Sequence, residues 1–341
     1  MIKWYEKSGA QGDAVISTRL RLARNIREYP FPAKLNADQR QKVEQAVKDA
    51  VMNCVDSIDK NFRFLNMEDL SQTEAVSLVE RHLVSPEFIS DRKGRGLILT
   101  DDECISIMIN EEDHLRIQVM QEGLSLNEAY DLADRLDSML NGRLDFAFDE
   151  RLGYLTQCPT NLGTGMRASL MLHLPALQES GTMGRIAANL SKLGLAIRGT
   201  YGEGTEPVGA MYQLSNQVTL GLSEREAIQN LSSIAMQMVS QERTARDALV
   251  KNIETQDAIF RSAGILQNAR MLSNEEFMKL ISNVRLGISA GLITNISYDA
   301  VNSLIVQVQP ATIMLPGQQK LTPAQRDALR AEIVSKRLRV Q

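Results

Sequence analysis

Strand-like segments crowd the first two-thirds of this chain and nearly vanish after residue 251, and that change of pattern constrains the fold most. GLILT (96–100), ISIMIN (105–110) and HLRIQVM (114–120) are short apolar or alternating runs that read as strands. GYLTQC (153–158) reads as a further strand and AMYQLSNQVTLG (210–221) as a strand pair. Helical spacing appears over 37–60, where Val43, Ala46, Val47, Ala50 and Val51 share a stripe. The segment 125–144 predicts an amphipathic helix, with Ser125 and Glu128 as a capping box and Gly142 just past its end. GTMGRIAANLSKLG (181–194) predicts another. From Ser223, boxed with Glu226, a helix should run to about Lys251. Beyond it come a helix capped by Ser273 and Glu276, one over 297–308, and one opened by Thr322, Pro323 and Gln325. The expected class is therefore α+β, with a body over 1–252 and an all-α module over 253–341.

Composition narrows the function classes. The 341 residues contain no apolar run of about 18, so a membrane span is not expected. The first fifteen residues lack the apolar core of a signal peptide. Cys54, Cys104 and Cys158 lie far apart with no CxxC pair, and there are only 3 histidines. That pattern fits a reducing, cytoplasmic setting and speaks against a disulfide framework or a zinc cluster. Net charge is −4, which predicts no direct nucleic-acid partner. Residues 251–341 hold 11 Lys+Arg against 7 Asp+Glu while the rest is acidic, as two modules with different partners or plain variation between domains would give.

The arginines and glycines carry the chemistry. NLGTGMR (161–167) and RGTYGEGTEPVG (198–209) are loops whose glycines would let backbone N–H groups approach phosphate, or ordinary turns. The Walker, GxGxxG, HRD and DFG patterns are absent. In an extended strand, Arg19 and Arg21 project to one face. Two guanidinium groups without neighbouring carboxylates suit a phosphate, although scattered surface arginines have the same spacing. In NEEDHLR (110–116), an unbroken strand would put Asn110, Glu112, His114 and Arg116 on one face and Glu111 and Asp113 on the other. That arrangement serves as a base beside a phosphate clamp, and a solvated acidic turn is the alternative.

Taken in order, STRLRLARN (17–25), NEEDHLR (110–116), CPTNLGTGMRA (158–168) and RGTYGEGTEPVG (198–209) resemble the motifs of the phosphagen kinases. The family members that act on small guanidino compounds carry a helical domain ahead of STRxR, here starting at Ser17, and lack a module like 253–341. The layout is similar to that of the bacterial kinases that phosphorylate arginine on proteins. The resemblance implies an antiparallel sheet flanked by helices, with ATP and Mg²⁺ as cofactors. It places ATP against Ser17, Thr18, Arg19, Leu20, Arg21, His82, Arg116, Arg167, Ala168, Ser169, Leu170, Met171, Arg198, Gly199, Thr200, Tyr201, Gly202 and Glu203. Glu112 and Glu203 would be catalytic, holding the acceptor guanidinium and taking its proton. Glu111 and Asp113 would orient metal-bound waters, and Cys158 would be a modulating thiol.

The last helix adds RDALRA (326–331), which resembles a phosphoarginine pocket: Arg326 and Arg330 for the phosphate, Asp327 for the guanidinium, Ala331 completing the motif. A solvated helix with an Asp327–Arg330 pair is the alternative. Implied partners are proteins with exposed arginine, a zinc-binding activator, a Clp unfoldase and protease, a transcriptional repressor and a second copy of the chain. A kinase for free arginine and a non-catalytic phosphoarginine adaptor are the competing functions. An assay with free arginine tests the first, and the presence of both glutamates and all five arginines argues against the second.

Overall fold

Leu20 and Leu22 are buried on one face of Val15–Arg24 (β1) while Arg19 and Arg21 lie on the other, and the whole molecule follows that division. The computed structural model describes residues 1–53, 58, 60–199, 207–317 and 320–339. After β1 come Ala37–Met52 (α1), Phe62–Asn66 (β2), Gln72–Glu80 (α2), Pro86–Ser90 (α3), Gly96–Thr100 (β3), Ile105–Ile109 (β4) and Leu115–Glu122 (β5). Leu126–Leu144 (α4), the two-residue strands Phe148–Asp149 (β6) and Gly153–Tyr154 (β7), and Met166–His173 (β8) follow. Pro175–Glu179 (α5), Met183–Lys192 (α6), Leu195–Gly199 (β9), Met211–Asn216 (β10) and Glu224–Leu249 (α7) complete the body. The C-terminal helices are Ile253–Asn268 (α8), Asn274–Ser289 (α9), Tyr298–Gln307 (α10) and Pro323–Arg339 (α11).

Among the described residues, eight strands form one sheet in the order β2-β3-β4-β5-β1-β8-β10-β9, antiparallel throughout. Its apolar face, including Leu20, Ile107, Ile117, Leu170 and Leu214, packs on α1, α4 and α7 through residues such as Val47, Leu136 and Leu231. Burying those side chains, each worth roughly 1.5–3 kcal/mol, is what selects the register, because a one-residue slip would turn the arginines inward. The other face meets two smaller bodies. α2 and α3 cover Leu97, Leu99 and Met108 at one end. The C-terminal helices share a core with Met211 at the other, and Ile16 and Met171 pack against it.

The N-terminal segment straps these parts together. Arg285 of α9 donates to the carbonyls of Gly12 and Asp13, and Arg243 of α7 reaches the Asp13 carboxylate. Gln307 donates to Glu6 and Ser8 to Asp299.

Several expectations change. Residues 110–114 form the turn between β4 and β5, with Ile109 paired to Leu115, so no strand runs through NEED. Asn110 takes a positive φ of 60°, and its amide donates to the carbonyls of Arg40 and Gly94, which pins the turn. Gly142 lies inside α4, which ends on Asp145 in the left-handed region. The Ser125 hydroxyl bonds the Glu122 carbonyl, so the expected capping box does not form. The first helix stops at Met52, GYLTQC contributes two strand residues, and 210–221 contributes one strand. β8 and β9, which the glycine loops masked in the sequence, are central and edge strands of the sheet. The capping boxes at Ser223 and Thr322 and the cap at Ser273 form as the sequence implies.

Candidate active site

Strand register gathers the arginines. Arg21 faces Arg167 across β1 and β8, Arg19 faces Ser169, and Ala23 faces Arg116 across β1 and β5. Arg198 of β9 pairs with Gln213, which pairs with Met171 of β8. With side chains alternating at period two, Arg19, Arg21, Arg116, Arg167 and Arg198 all stand on one face. Ser17 and Ser169 share it. Thr18, Leu20, Ala168 and Leu170 do not: each is fully buried on the opposite face, so any contact they make with a nucleotide is through the backbone. Thr18 spends its hydroxyl on the Gly123 carbonyl.

Burial drives the Arg19 guanidinium down to about 10 and Arg21 well below its ordinary value, with neighbouring arginines adding to the effect. Arg116 and Arg167 act on both residues, and Arg19 also acts on Arg21. Such a cluster is held together by the hydrophobic core beneath it and is relieved by a polyanion. Gln213 accepts from Arg19 at 2.9 Å. Gln118, paired with Arg21, donates to the His82 carbonyl at 2.8 Å. Sequence reasoning missed both glutamines. Their signal was position alone, since each falls on the polar face of a strand beside an arginine.

At the end of this face lies the 110–114 turn. Arg116 sits 2.8 Å from the Glu111 carboxylate and 3.1 Å from that of Glu112. Glu111 also accepts from Ser85 at 2.5 Å. Burial, with Asp113 and Glu111 adding, raises the Glu112 carboxyl above its usual range against the pull of Arg116. The Cys158 thiol hydrogen-bonds Glu112 and lies 3.1 Å from the Thr160 hydroxyl. Two cavities meet here and share Glu112 and Arg116. One adds Arg21, Arg167, Cys158 and Thr160; the other adds Glu111, Arg40, Glu87 and Arg95.

Asp113 and His114 have structural posts. Asp113 is fully buried and accepts from Asn25 and from the Gln157 backbone, so it does not face the solvent that metal-bound waters would occupy. His114 accepts from the Ile26 N–H at Nδ1 and bonds the Pro30 carbonyl through Nε2. The face division expected of an unbroken strand therefore fails, because in a turn neighbouring carboxylates are free to converge. Among the described residues no group of three or more His, Cys, Asp or Glu could hold a metal.

At the far end, a narrow cavity is bounded by Ser17, His82, Met171 and Met211 on one side and helices α9 and α10 on the other. His82 has a positive φ of 61°, and burial lowers its imidazole to about 4. Thr200, Tyr201, Gly202 and Glu203 lie outside the described residues. Arg198 and Gly199 close β9.

The RDALRA helix departs from expectation. Arg330 is buried and donates to the carbonyls of Val308 and Leu272 and, at 2.6 Å, to Asp327. It therefore ties α11 to the ends of α10 and the 269–273 connection, and does not stand beside Arg326 as a second free phosphate donor. Ala331 is buried in the same core, while Arg326 and Asp327 reach the surface in part.

Comparison with known proteins agrees with this geometry. The family described as ATP:guanido phosphotransferase, C-terminal catalytic domain, matches residues 42–245, and that described as Protein-arginine kinase McsB C-terminal domain matches 252–341. A protein-arginine kinase of Halothermothrix orenii is 45% identical over 98% of this chain and 96% of its own. One from Brevibacillus brevis is 44% identical over 99% and 95%. Among solved structures, the duplicated taurocyamine kinase of Schistosoma mansoni with transition-state-analogue components superposes with a TM-score of 0.61 at 31% identity. That match covers 68% of this chain and 33% of the duplicated enzyme. Lombricine kinase gives 0.59 at 26% identity, over 69% and 67%. No helix among the described residues is long and apolar enough to cross a membrane. With an arginine face, a carboxylate at its end and matches along nearly the whole chain, this enzyme belongs to the ATP:guanido phosphotransferase family, among the protein-arginine kinases.

Proposed function

We propose that the chain transfers the γ-phosphoryl group of ATP to a guanidinium nitrogen of an arginine carried on a protein. The observation that carries this reading is the linear order of groups along β1 and β8. Ser17 and Met171 border the narrow cavity, Arg19 and Ser169 come next, then Arg21 and Arg167, then Ala23 beside Arg116. At roughly 3.3 Å per residue, the two arginine rows stand about 7 and 13 Å from Ser17. That order suits a nucleotide laid along the strands, with its base in the cavity and its phosphates on the arginines.

Phosphoryl transfer of this kind is governed by positioning and charge. The arginines would take the charge on the equatorial oxygens. An arginine acceptor is permanently protonated, with a pKa above ~12. Glu112, in the cavity that joins the arginine face to the surface, would hold it in line. As the N–P bond forms and the bond from Pγ to the β-phosphate oxygen breaks, the guanidinium proton passes to the Glu112 carboxylate and ADP leaves. Glu203 is proposed as the second clamp. Mg²⁺ would arrive on the phosphates and neutralise their charge, as it commonly does without an all-protein cage. Glu111, bordering the same cavity, remains the carboxylate suited to one of its waters. The reading extends to phosphoarginine binding at Arg326 and Asp327, to a homodimer in the cytoplasm, and to marking proteins for Clp degradation and stress regulation with an activator and a repressor as partners.

Incubation with Mg·ATP and an arginine-rich protein should yield acid-labile phosphate on that protein, because N–P bonds hydrolyse in acid. Acid-stable label, or free arginine labelled as fast as the protein, would overturn the assignment.

A further inference from the structure

We propose that the cavity beyond Arg40 receives the stretch of substrate chain beside the acceptor arginine and favours a basic residue there. The inference rests on the protein-arginine reading above and narrows its substrate class.

An acceptor carried on a protein brings its neighbours, and at ~3.3 Å per residue an extended chain needs a path away from Glu112. The cavity that joins Glu112 to Glu87 and Arg95 holds about 480 Å³ and reaches Arg40. Arg40 also borders a second cavity of about 660 Å³, between α1 and the connection that precedes β3. The two are neighbours across one side chain. The same residues hold the catalytic turn, because the Asn110 amide donates to the Arg40 carbonyl at 3.0 Å and to the Gly94 carbonyl at 2.8 Å. A chain lying in the second cavity therefore touches two walls that are hydrogen-bonded to the turn carrying Glu111 and Glu112.

Charge decides what that chain should contain. Asp91 lies 3.6 Å from Arg40 and balances it. That leaves Glu44 and Glu68 against the exposed Lys93. Glu68 is fixed by the Gly94 N–H, which donates to it at 2.9 Å. Glu44, one turn beyond Arg40 on α1, is half-buried, and among the described residues no hydrogen bond or ion pair holds its carboxylate. Lys48 stands at the helical position that would ordinarily pair with it, but the Lys48 ammonium lies over the Phe64 ring, 4.5 Å from the centroid. Burial raises the Glu44 carboxyl, with Lys48 opposing and Glu68 adding. Two carboxylates that act on each other in one cavity, one pinned and one unpaired, are relieved by a guest ammonium or guanidinium. A lysine or arginine of the substrate supplies that charge on a long apolar stem, whereas an acidic residue is repelled.

The full chain with Mg·ATP is given peptides of one length whose single arginine is flanked by lysines, by acetyl-lysines or by glutamates. Acid-labile phosphate is followed to obtain KM and kcat. The lysine peptide should show a KM about tenfold below that of the acetyl-lysine peptide, which keeps the stem and loses the charge, and the glutamate peptide should be the poorest. Glu44→Gln combined with Glu68→Gln should shrink that preference to about twofold. Asp131→Asn combined with Asp134→Asn, the same change of charge at exposed positions of α4 outside both cavities, should keep it. Glu68→Lys, at an exposed position, should reverse the order of the lysine and glutamate peptides. A wild-type chain that treats lysine and acetyl-lysine alike overturns the proposal while protein-arginine phosphorylation stands. So does a preference that survives the Glu44 and Glu68 changes or falls equally with the α4 pair. Label on the arginine-rich protein but on no peptide shows that a flanking chain is not what docks, and overturns it too. Label on neither removes the protein-arginine reading and this proposal with it.

Discussion

Arg21 and Arg167 stand directly opposite one another on β1 and β8, two cations in a pair position of an antiparallel sheet. Like charges so placed destabilise a sheet by up to ~1 kcal/mol, and the buried Arg21 Nε has no partner. Arg21→Met should therefore raise the melting temperature of the ligand-free chain while abolishing most of the stabilisation that ATP confers. Thermal unfolding with and without nucleotide measures both. A lower ligand-free melting temperature would mean that Arg21 serves the fold.

Glu112 carries the chemical step in our reading. Its raised pKa means that the carboxyl is protonated, and useless as a base, at pH values where an exposed glutamate is still charged. Activity should fall as pH drops through that raised value, with an acid limb above the ordinary glutamate value of about 4.3. Glu112→Gln should lose roughly 10²–10⁴-fold in turnover yet bind ATP as before. Near-normal turnover in that variant would take the role away from Glu112.

Beneath the site, Arg24 grips Asp137 through Nε and Nη2, each 2.9 Å from a carboxylate oxygen, with the Tyr154 ring 3.4 Å from its guanidinium carbon. Asp137→Ala leaves a buried cation alone and should destabilise the chain by about 3–5 kcal/mol in urea unfolding. Arg24→Met combined with Asp137→Leu should recover much of that loss. If the double variant is as unstable as the single one, the pair is not the source.

All three histidines are pushed down by burial, His82 and His114 to about 4 and His173 further. A folded-state pKa below the unfolded value of about 6.5 contributes stability above pH 6.5, and that stability is lost as pH falls towards 4. His114 shows why: protonating Nδ1 would set an N–H against the Ile26 N–H. Denaturant midpoints should decline across this window, and less steeply in His114→Gln. A flat profile would contradict the burial.

In the C-terminal module, Arg330→Met should destabilise α11 packing, since the Leu272 and Val308 carbonyls lose their donor at about 1–3 kcal/mol each. Arg326→Ala should shift stability by no more than ~0.5 kcal/mol and weaken phosphoarginine binding in calorimetry. Unchanged binding in Arg326→Ala would make this helix purely structural.

The legible part of the site is the part that depends on local rules. Period-two alternation in STRLR puts Arg19 and Arg21 on one face wherever the strand lies, and the boxes at Ser223 and Thr322 cap their helices because the partners are three residues apart. The acidic segment stays open between strand and turn in the sequence for the converse reason. ISIMI and LRIQVM are equally good as one long strand or as a hairpin, and only Asn110 in its left-handed conformation, held by Arg40 and Gly94, decides between them.

The sequence alone determined the α+β class, the helical C-terminal module, the arginine pair and the family's motifs, since each rests on spacing along the chain. Tertiary structure decided what crosses strands and modules. Register set Arg21 against Arg167, the turn brought Glu111 and Glu112 together on Arg116, and the strap carried Trp4 to Val306 of α10. These are meetings of residues far apart in sequence, fixed by the burial of apolar side chains on the opposite face of the sheet, and no local pattern records them.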